Sequence, residues 1–136
     1  MSDVVIFDTS VLVDNLRSGL YGQRIESVTG LIRTSSVVLA ELWRGATTRS
    51  ERRIVEAFER IHPVLTPTQN NWIESGRLLG KMRAAHGLSP HQLRDLHVDV
   101  LIALTARSHG ARLITSNRRD FELIHRYRRF ELAIWT

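Results

Sequence analysis

The sequence contains no cysteine, so disulfides, thiolate zinc sites and cysteine nucleophiles are all excluded. Lysine is nearly absent too: Lys81 is the only one among 19 basic residues, and the rest are arginine. No apolar run approaches the roughly 18 residues that a membrane helix needs. No charged and apolar leader opens the chain. The expectation is a cytoplasmic protein without membrane association. Internal repeats, low-complexity tracts and linkers are also missing. One domain spanning residues 1–136 is therefore expected, a length that can bury about two-thirds of the unfolded chain's surface.

What the chain does have is a net charge of +5, carried almost wholly by arginine. Arginine grips phosphate through paired N–H groups and stacks on bases, which suits an RNA-binding surface. On charge alone, a merely solvated surface is the simpler reading. Four acids shift that balance. Asp8 closes the apolar run Val4 to Phe7 and is followed by Thr9 and Ser10. Glu41 interrupts the run Val37 to Trp43, and Asp99 interrupts Val98 to Leu104. Asp120 ends the string Thr115-Ser116-Asn117-Arg118-Arg119. An ionised carboxylate is costly to bury unpaired. Several acids placed this way point to a shared cation. A phosphodiester enzyme needs both features, arginine for the backbone and carboxylates for the metal.

Short apolar runs alternate with helical stretches, the pattern of a parallel α/β sheet. Strands are expected at Val4 to Phe7, Leu31 to Thr34, Pro63 to Leu65, Arg112 to Thr115 and Phe130 to Trp135. Thr9 or Ser10 can cap a helix through Arg17. Another helix runs from Val37 to Gly45, with Gly45 as its C-terminal cap. Thr48 with Glu51, and Ser89 with Gln92, read as capping boxes that open two further helices. Trp72, Leu79 and Met82 mark one reaching Ala85, and Asp120 to Tyr127 is a short last one. In such sheets ligands bind beyond the carboxyl ends of strands, at a topological switch point. Asp8, Asn117 and Asp120 all fall at such ends.

Each acid alone has an ordinary explanation. Asp8 and Asp120 can be helix-terminal residues that favour an N-terminus. Glu41 can face solvent on an amphipathic helix. Asp99 is harder to explain away, because residues 98–106 are apolar on nearly every helical face and aspartate is a poor helix-interior residue. Asp95 lies one turn earlier and most simply points to solvent, so its role stays open. His91, His97 and His109 lack the spacing of a zinc site and read as ordinary helical histidines.

Taken together, these segments resemble a PIN domain, and more specifically a toxin of the VapC type. The resemblance covers essentially the whole chain. It rests on Phe7-Asp8-Thr9-Ser10, on Ala40-Glu41-Leu42 with Gly45, on Asp99 with Ile102-Ala103, and on Thr115, Asn117 and Asp120-Phe121. Val100 and Leu104 stand where the family often has alanine, a difference that touches packing. The resemblance implies a small parallel sheet flanked by helices, with the acids converging at one end. It implies an endoribonuclease dependent on Mg²⁺ or Mn²⁺, acting as the toxin of a toxin–antitoxin pair on structured RNA such as tRNA or rRNA. It assigns the metal-binding and catalytic roles to Asp8, Glu41, Asp99 and Asp120, and helper roles to Thr9 or Ser10, Thr115 and Asn117. It further implies a homodimer and a VapB-type antitoxin lying in an apolar groove, for which Trp43 and Leu12 are candidates.

Elementary electrostatics points the same way. Converging carboxylates repel by about 4 kcal/mol per pair at roughly 4 Å in an effective dielectric near 20. Hard divalent cations relieve that repulsion. Asp8 and Asp99 are expected as direct ligands, with Glu41 and Asp120 acting through water or at a second metal. Arg118 and Arg119 are expected to clamp phosphate, though a solvated pair serves as well. Haloacid-dehalogenase phosphatases need a second acid two residues after the first, where this chain has Ser10. Receiver domains need a lysine near the last strand, and Lys81 falls in mid-helix. The remaining alternative is a non-catalytic RNA-binding or regulatory module of the same fold, and the presence of all four acids argues against it.

Overall fold

The computed structural model describes residues 3–136; residues 1–2 of the expected domain lie outside it. The strands are β1 (Val4–Phe7), β2 (Leu31–Ser35), β3 (Val64–Leu65), β4 (Arg112–Thr115) and β5 (Leu132–Ile134). The helices are α1 (Thr9–Ser18), α2 (Gly22–Glu26), α3 (Ser36–Gly45), α4 (Arg49–Ile61), α5 (Gln69–His86), α6 (Pro90–Ser108) and α7 (Arg118–Tyr127). All strand pairs are parallel, in the order β3-β2-β1-β4-β5, with Val5 beside Ile32 and Ile6 beside Leu113. The α/β class and the small parallel sheet expected from the sequence are what the chain forms.

The apolar composition of the central strands follows from this order. Val5, Ile6 and Phe7 of β1 and Leu113 and Ile114 of β4 are buried, as strands covered on both faces must be. α6 changes character along its length. His91, Gln92, Arg94 and Asp95 are exposed, whereas every residue from Val100 to Ala106 is buried. Asp99 stands at that transition. A Ser89–Gln92 capping box and Pro90 open α6, and a Thr48–Glu51 box opens α4. A third box, Thr68 with Asn71, opens α5 and was not apparent from the sequence. Gly45 proves to be the last residue of α3, with Ala46 as the extended cap. α7 begins at Arg118, because the Asn117 side chain accepts the backbone N–H of Asp120 and so caps the helix two residues earlier than expected.

The first strand is central. From β1 the chain moves outward through β2 to β3, then crosses back to β4 on the other side of β1 and outward to β5. The connections leaving β1 and β4 therefore diverge, and a crevice opens beyond their carboxyl ends. One glycine secures the pairing of β1 with β2. Gly30 has φ +123°, and a Cβ there would lie 2.4 Å from the carbonyl oxygen of Asp3, which accepts the N–H of Leu31 at 2.6 Å. Gly30→Ala should cost about 1–3 kcal/mol through backbone strain and a displaced strand. A chemical-denaturation midpoint equal to wild type would contradict this.

Candidate active site

Asp8 directly follows β1 and occupies the N-cap position of α1, yet its side chain makes no capping hydrogen bond. The capping role thus does not account for it. Its Oδ2 instead accepts the hydroxyl of Ser10 at 2.7 Å and that of Thr115, at the end of β4, also at 2.7 Å. Each hydroxyl in turn accepts a backbone N–H, Ser10 from Ser116 at 3.2 Å and Thr115 from Asn117 at 3.0 Å. The backbone of the β4–α7 turn is thereby linked through two hydroxyls to one carboxylate oxygen. Asp8 is 3% exposed, and burial raises its pKa above the usual carboxylate value while these hydrogen bonds pull it back down.

Thr9 faces the other way. Its hydroxyl donates to Oε1 of Glu41 on α3 at 2.6 Å, and Arg44 approaches Oε2 of the same glutamate at 3.9 Å. Burial raises the Glu41 pKa and the nearby Asp8 charge adds to it, against the Thr9 hydrogen bond and Arg44. On α7, Nδ2 of Asn117 donates to Asp120 at 3.1 Å. Asp99 of α6 completes the group. Its carboxyl is pushed up to about 9, first by burial, then by the charges of Asp8, Asp120 and Glu41, and by a hydrogen bond to Asp120 that favours the protonated form. The four acids chosen from the sequence therefore act on one another here, and each proposed helper, Thr9, Ser10, Thr115 and Asn117, donates a hydrogen bond to Glu41, Asp8 or Asp120.

A cleft of about 430 Å³ opens over them. Glu41, Asp99, Asn117 and Asp120 line it, while Asp8 lies beneath. Arg44, His91, Arg94 and Asp95, with Val98, complete its wall, and none of these was singled out as a site residue from the sequence. Their helical spacing carried the signal: Arg44 is three residues after Glu41, and His91 and Asp95 precede Asp99 at four-residue steps. Asp14, which accepts the Ser116 hydroxyl at 3.1 Å, lies one turn after Ser10 and was missed as well. The arginines flanking the last motif part company. Arg118 pairs with Glu122 at 2.8 Å on the exposed face of α7, and Arg119 lines a neighbouring cavity with Asp95 and Asp120. Leu12 lines an apolar cavity of about 240 Å³ with Leu42 and Phe58, whereas Trp43 donates to Glu59 at 2.8 Å outside it.

The donor set is one of oxygens in partly desolvated surroundings, with Arg44 the only cation in ion-pair reach of the quartet among the described residues. That chemistry fits a hard divalent cation. No group of three or more His, Cys, Asp or Glu side chains among the described residues forms a ready metal cage. The match is one of donor chemistry and charge.

The sequence matches the family model of the PIN domain over residues 5–127. The chain belongs to the PIN domain family. Solved structures share the fold of this PIN domain. A chain in VapBC2 from Rickettsia felis, bound to a DNA fragment from their promoter, is 22% identical with a TM-score of 0.75, covering 98% of this chain and 99% of that one. A chain in DNA-bound VapBC from Salmonella typhimurium is 24% identical with a TM-score of 0.73, each chain covered in full at 100%. A chain of VapBC-5 from Mycobacterium tuberculosis, of the VapBC family of toxin-antitoxin systems, is 22% identical with a TM-score of 0.68, covering 98% and 100%. No curated protein sequence matches this one.

The raised Asp99 pKa should make the PIN domain sensitive to alkali in EDTA. Its folded value of about 9 lies above the ordinary 3.8. Protonated Asp99 therefore supports the fold fully below about pH 4, and that support is lost as pH rises through about 9. In EDTA, wild type should melt progressively lower from about pH 6 to pH 9, and Asp99→Asn should flatten this fall. At the alkaline end the variant should melt about 3 °C or more above wild type, equivalent to roughly 1 kcal/mol. Parallel pH profiles of the two proteins would contradict the electrostatic account of Asp99.

Proposed function

We propose that this PIN domain is an endoribonuclease dependent on Mg²⁺ or Mn²⁺ and the toxin of a toxin–antitoxin pair, cleaving structured RNA such as tRNA or rRNA. The observation that carries the proposal is the convergence of three carboxylates on Asp99 at the switch point of a parallel sheet. Asp8, Glu41, Asp99 and Asp120 would hold the cation. When bound, it supplies a Lewis acid beside the phosphodiester and an acidified water as nucleophile. The chain's own residues do the positioning. Ser10 and Thr115 fix the Asp8 carboxylate, Thr9 fixes Glu41 and Asn117 fixes Asp120. The Asp99 carboxyl carries a proton that must leave before both of its oxygens can donate. Arg44 and Arg94, on the cleft wall, offer charge to the phosphates beside the scissile one.

The toxin role draws support from the VapBC complexes whose chains share this fold. A VapB-type antitoxin and a homodimer are part of the same reading. The apolar cavity beside Leu12 is a candidate seat for the antitoxin, bound as a helix or extended segment. No helix among the described residues is long and apolar enough to cross a membrane, and the proposed place of action is the cytoplasm.

Purified protein should cleave structured RNA with Mg²⁺ or Mn²⁺, lose the activity in EDTA and regain it when metal is returned. Asp8→Asn should cleave at about one-hundredth of the wild-type rate or less. When each is induced without a partner in a bacterial host, wild type should arrest growth and Asp8→Asn should not. Undiminished cleavage in excess EDTA would overturn the metal requirement. Equal growth of the two strains would overturn the toxin role.

A further inference from the structure

A second cavity, of about 360 Å³, lies between α5 and α6 and adjoins the carboxylate cleft. Arg94 lines both. Helical geometry explains the sharing. His91, Asp95 and Asp99, at four-residue steps along α6, turn one face to the cleft, while Leu93 and His97 lie on the neighbouring face toward α5. Arg94 stands on the seam. Leu79 and Leu93 give the second cavity apolar surface, and Arg83 and Arg94 are its only charged lining residues besides the titratable His97. No acid lines it. Neither guanidinium has an ion-pair or hydrogen-bond partner among the described residues. On α5, Gly76 and Gly80 stand one turn apart, with nothing within 4 Å of where a Cβ would lie. Trp72, one turn before Gly76, is 53% exposed and meets the His97 ring edge-on at 5.8 Å.

Unpaired arginines, apolar surface and open space beside bare helix backbone form the chemistry of a nucleotide site. The base lies against apolar and aromatic groups and the phosphate against guanidinium. The volume is in the range of about 300–1,000 Å³ typical of small-ligand pockets. A strand reacting in the carboxylate cleft has neighbouring phosphates that the four acids repel. Cations outside the quartet must hold them, and on the α6 side those are Arg94 and then Arg83. We infer that the α5–α6 groove binds the nucleotides of single-stranded RNA next to the scissile phosphate, with Arg94 and Arg83 holding successive phosphates as the strand leaves the cleft. This inference rests on the nuclease reading above and adds the path of the substrate.

Two variants test it. Gly80→Leu fills the groove from the α5 side into open space, and leucine suits a helix better than glycine. Arg83→Gln removes one surface charge. Binding of a fluorescently labelled single-stranded RNA oligonucleotide is measured in EDTA, where binding is read without cleavage. Gly80→Leu should weaken binding by about tenfold, the worth of one lost stacking contact. Arg83→Gln should reduce the slope of log affinity against log salt by about 0.7. With Mn²⁺, both should raise KM for the same RNA with little change in kcat. Sedimentation and thermal melting of each variant report assembly and folding; should Gly80→Leu not fold, the salt slope of Arg83→Gln decides. Unchanged affinity and slope would overturn the proposal. So would an altered association state in Gly80→Leu with RNA affinity intact, which would make the groove a contact between copies. A wild type that binds RNA but never cleaves it, with both variants weakened, would keep the groove and sink the nuclease reading.

Discussion

Oδ2 of Asp8 accepts the hydroxyls of Ser10 and Thr115, each at 2.7 Å, and so ties the end of β1 to the end of β4 where the sheet's connections diverge. Hydrogen bonds to a charged group contribute about 1.5–3 kcal/mol each, which offsets part of the several kcal/mol that burying a carboxylate costs. The rest of the site follows from this clamp. Fixing Ser10 sets the rotation of α1 and turns Thr9 toward Glu41 on α3. Fixing Thr115 orients the turn whose N–H groups feed the clamp, and the same turn places Asn117 to cap α7 and hold Asp120. Three acids are thus positioned from one oxygen by hydrogen bonds and short covalent steps.

Asp99 reaches the group from α6, a helix that passes from solvent into the core. At that boundary the carboxyl is desolvated enough to feel its neighbours strongly and open enough to meet a ligand in the cleft. The surroundings leave the charge largely unanswered. Arg44 touches Glu41 at 3.9 Å, while Arg118 and Arg128 are engaged by Glu122 and Glu74. On the proposed reading, a negative floor with arginine around its walls would orient a polyanion, its backbone attracted to the walls and kept from the floor until a cation occupied it. Such a floor costs stability in the empty protein, a common price of sites built for charge.

Much of this was legible in the sequence, for physical reasons. Apolar runs before Asp8 and before Asn117 announced strands buried on two faces, and the unbroken apolar stretch after Asp99 announced a helix entering the core. Local chemistry also revealed two capping boxes. What escaped notice depended on contacts between distant residues. Whether Asp8 caps α1 or accepts from Thr115 is decided 107 residues away, by where β4 lands. The Ser116–Asp14 bond, spanning 102 residues, is equally silent in local pattern. The pairing of Arg118 escaped notice for a different reason. Glu122 lies at the favourable four-residue spacing and captures it, a competition that short-range reasoning could have found. The groove between α5 and α6 escaped notice because Gly76 and Gly80 act through missing side chains, which leave no trace in apolar periodicity.

The proposed reading turns on Asp99: burial, reinforced by the neighbouring carboxylates, keeps a proton on it that a divalent cation would replace. Calorimetric titration with Mn²⁺ at about pH 7.5, repeated in buffers of different ionisation enthalpy, counts the protons released on binding. The account predicts about one proton per cation in wild type, and close to none when Asp99→Asn binds metal. Tight binding by wild type without proton release would contradict it.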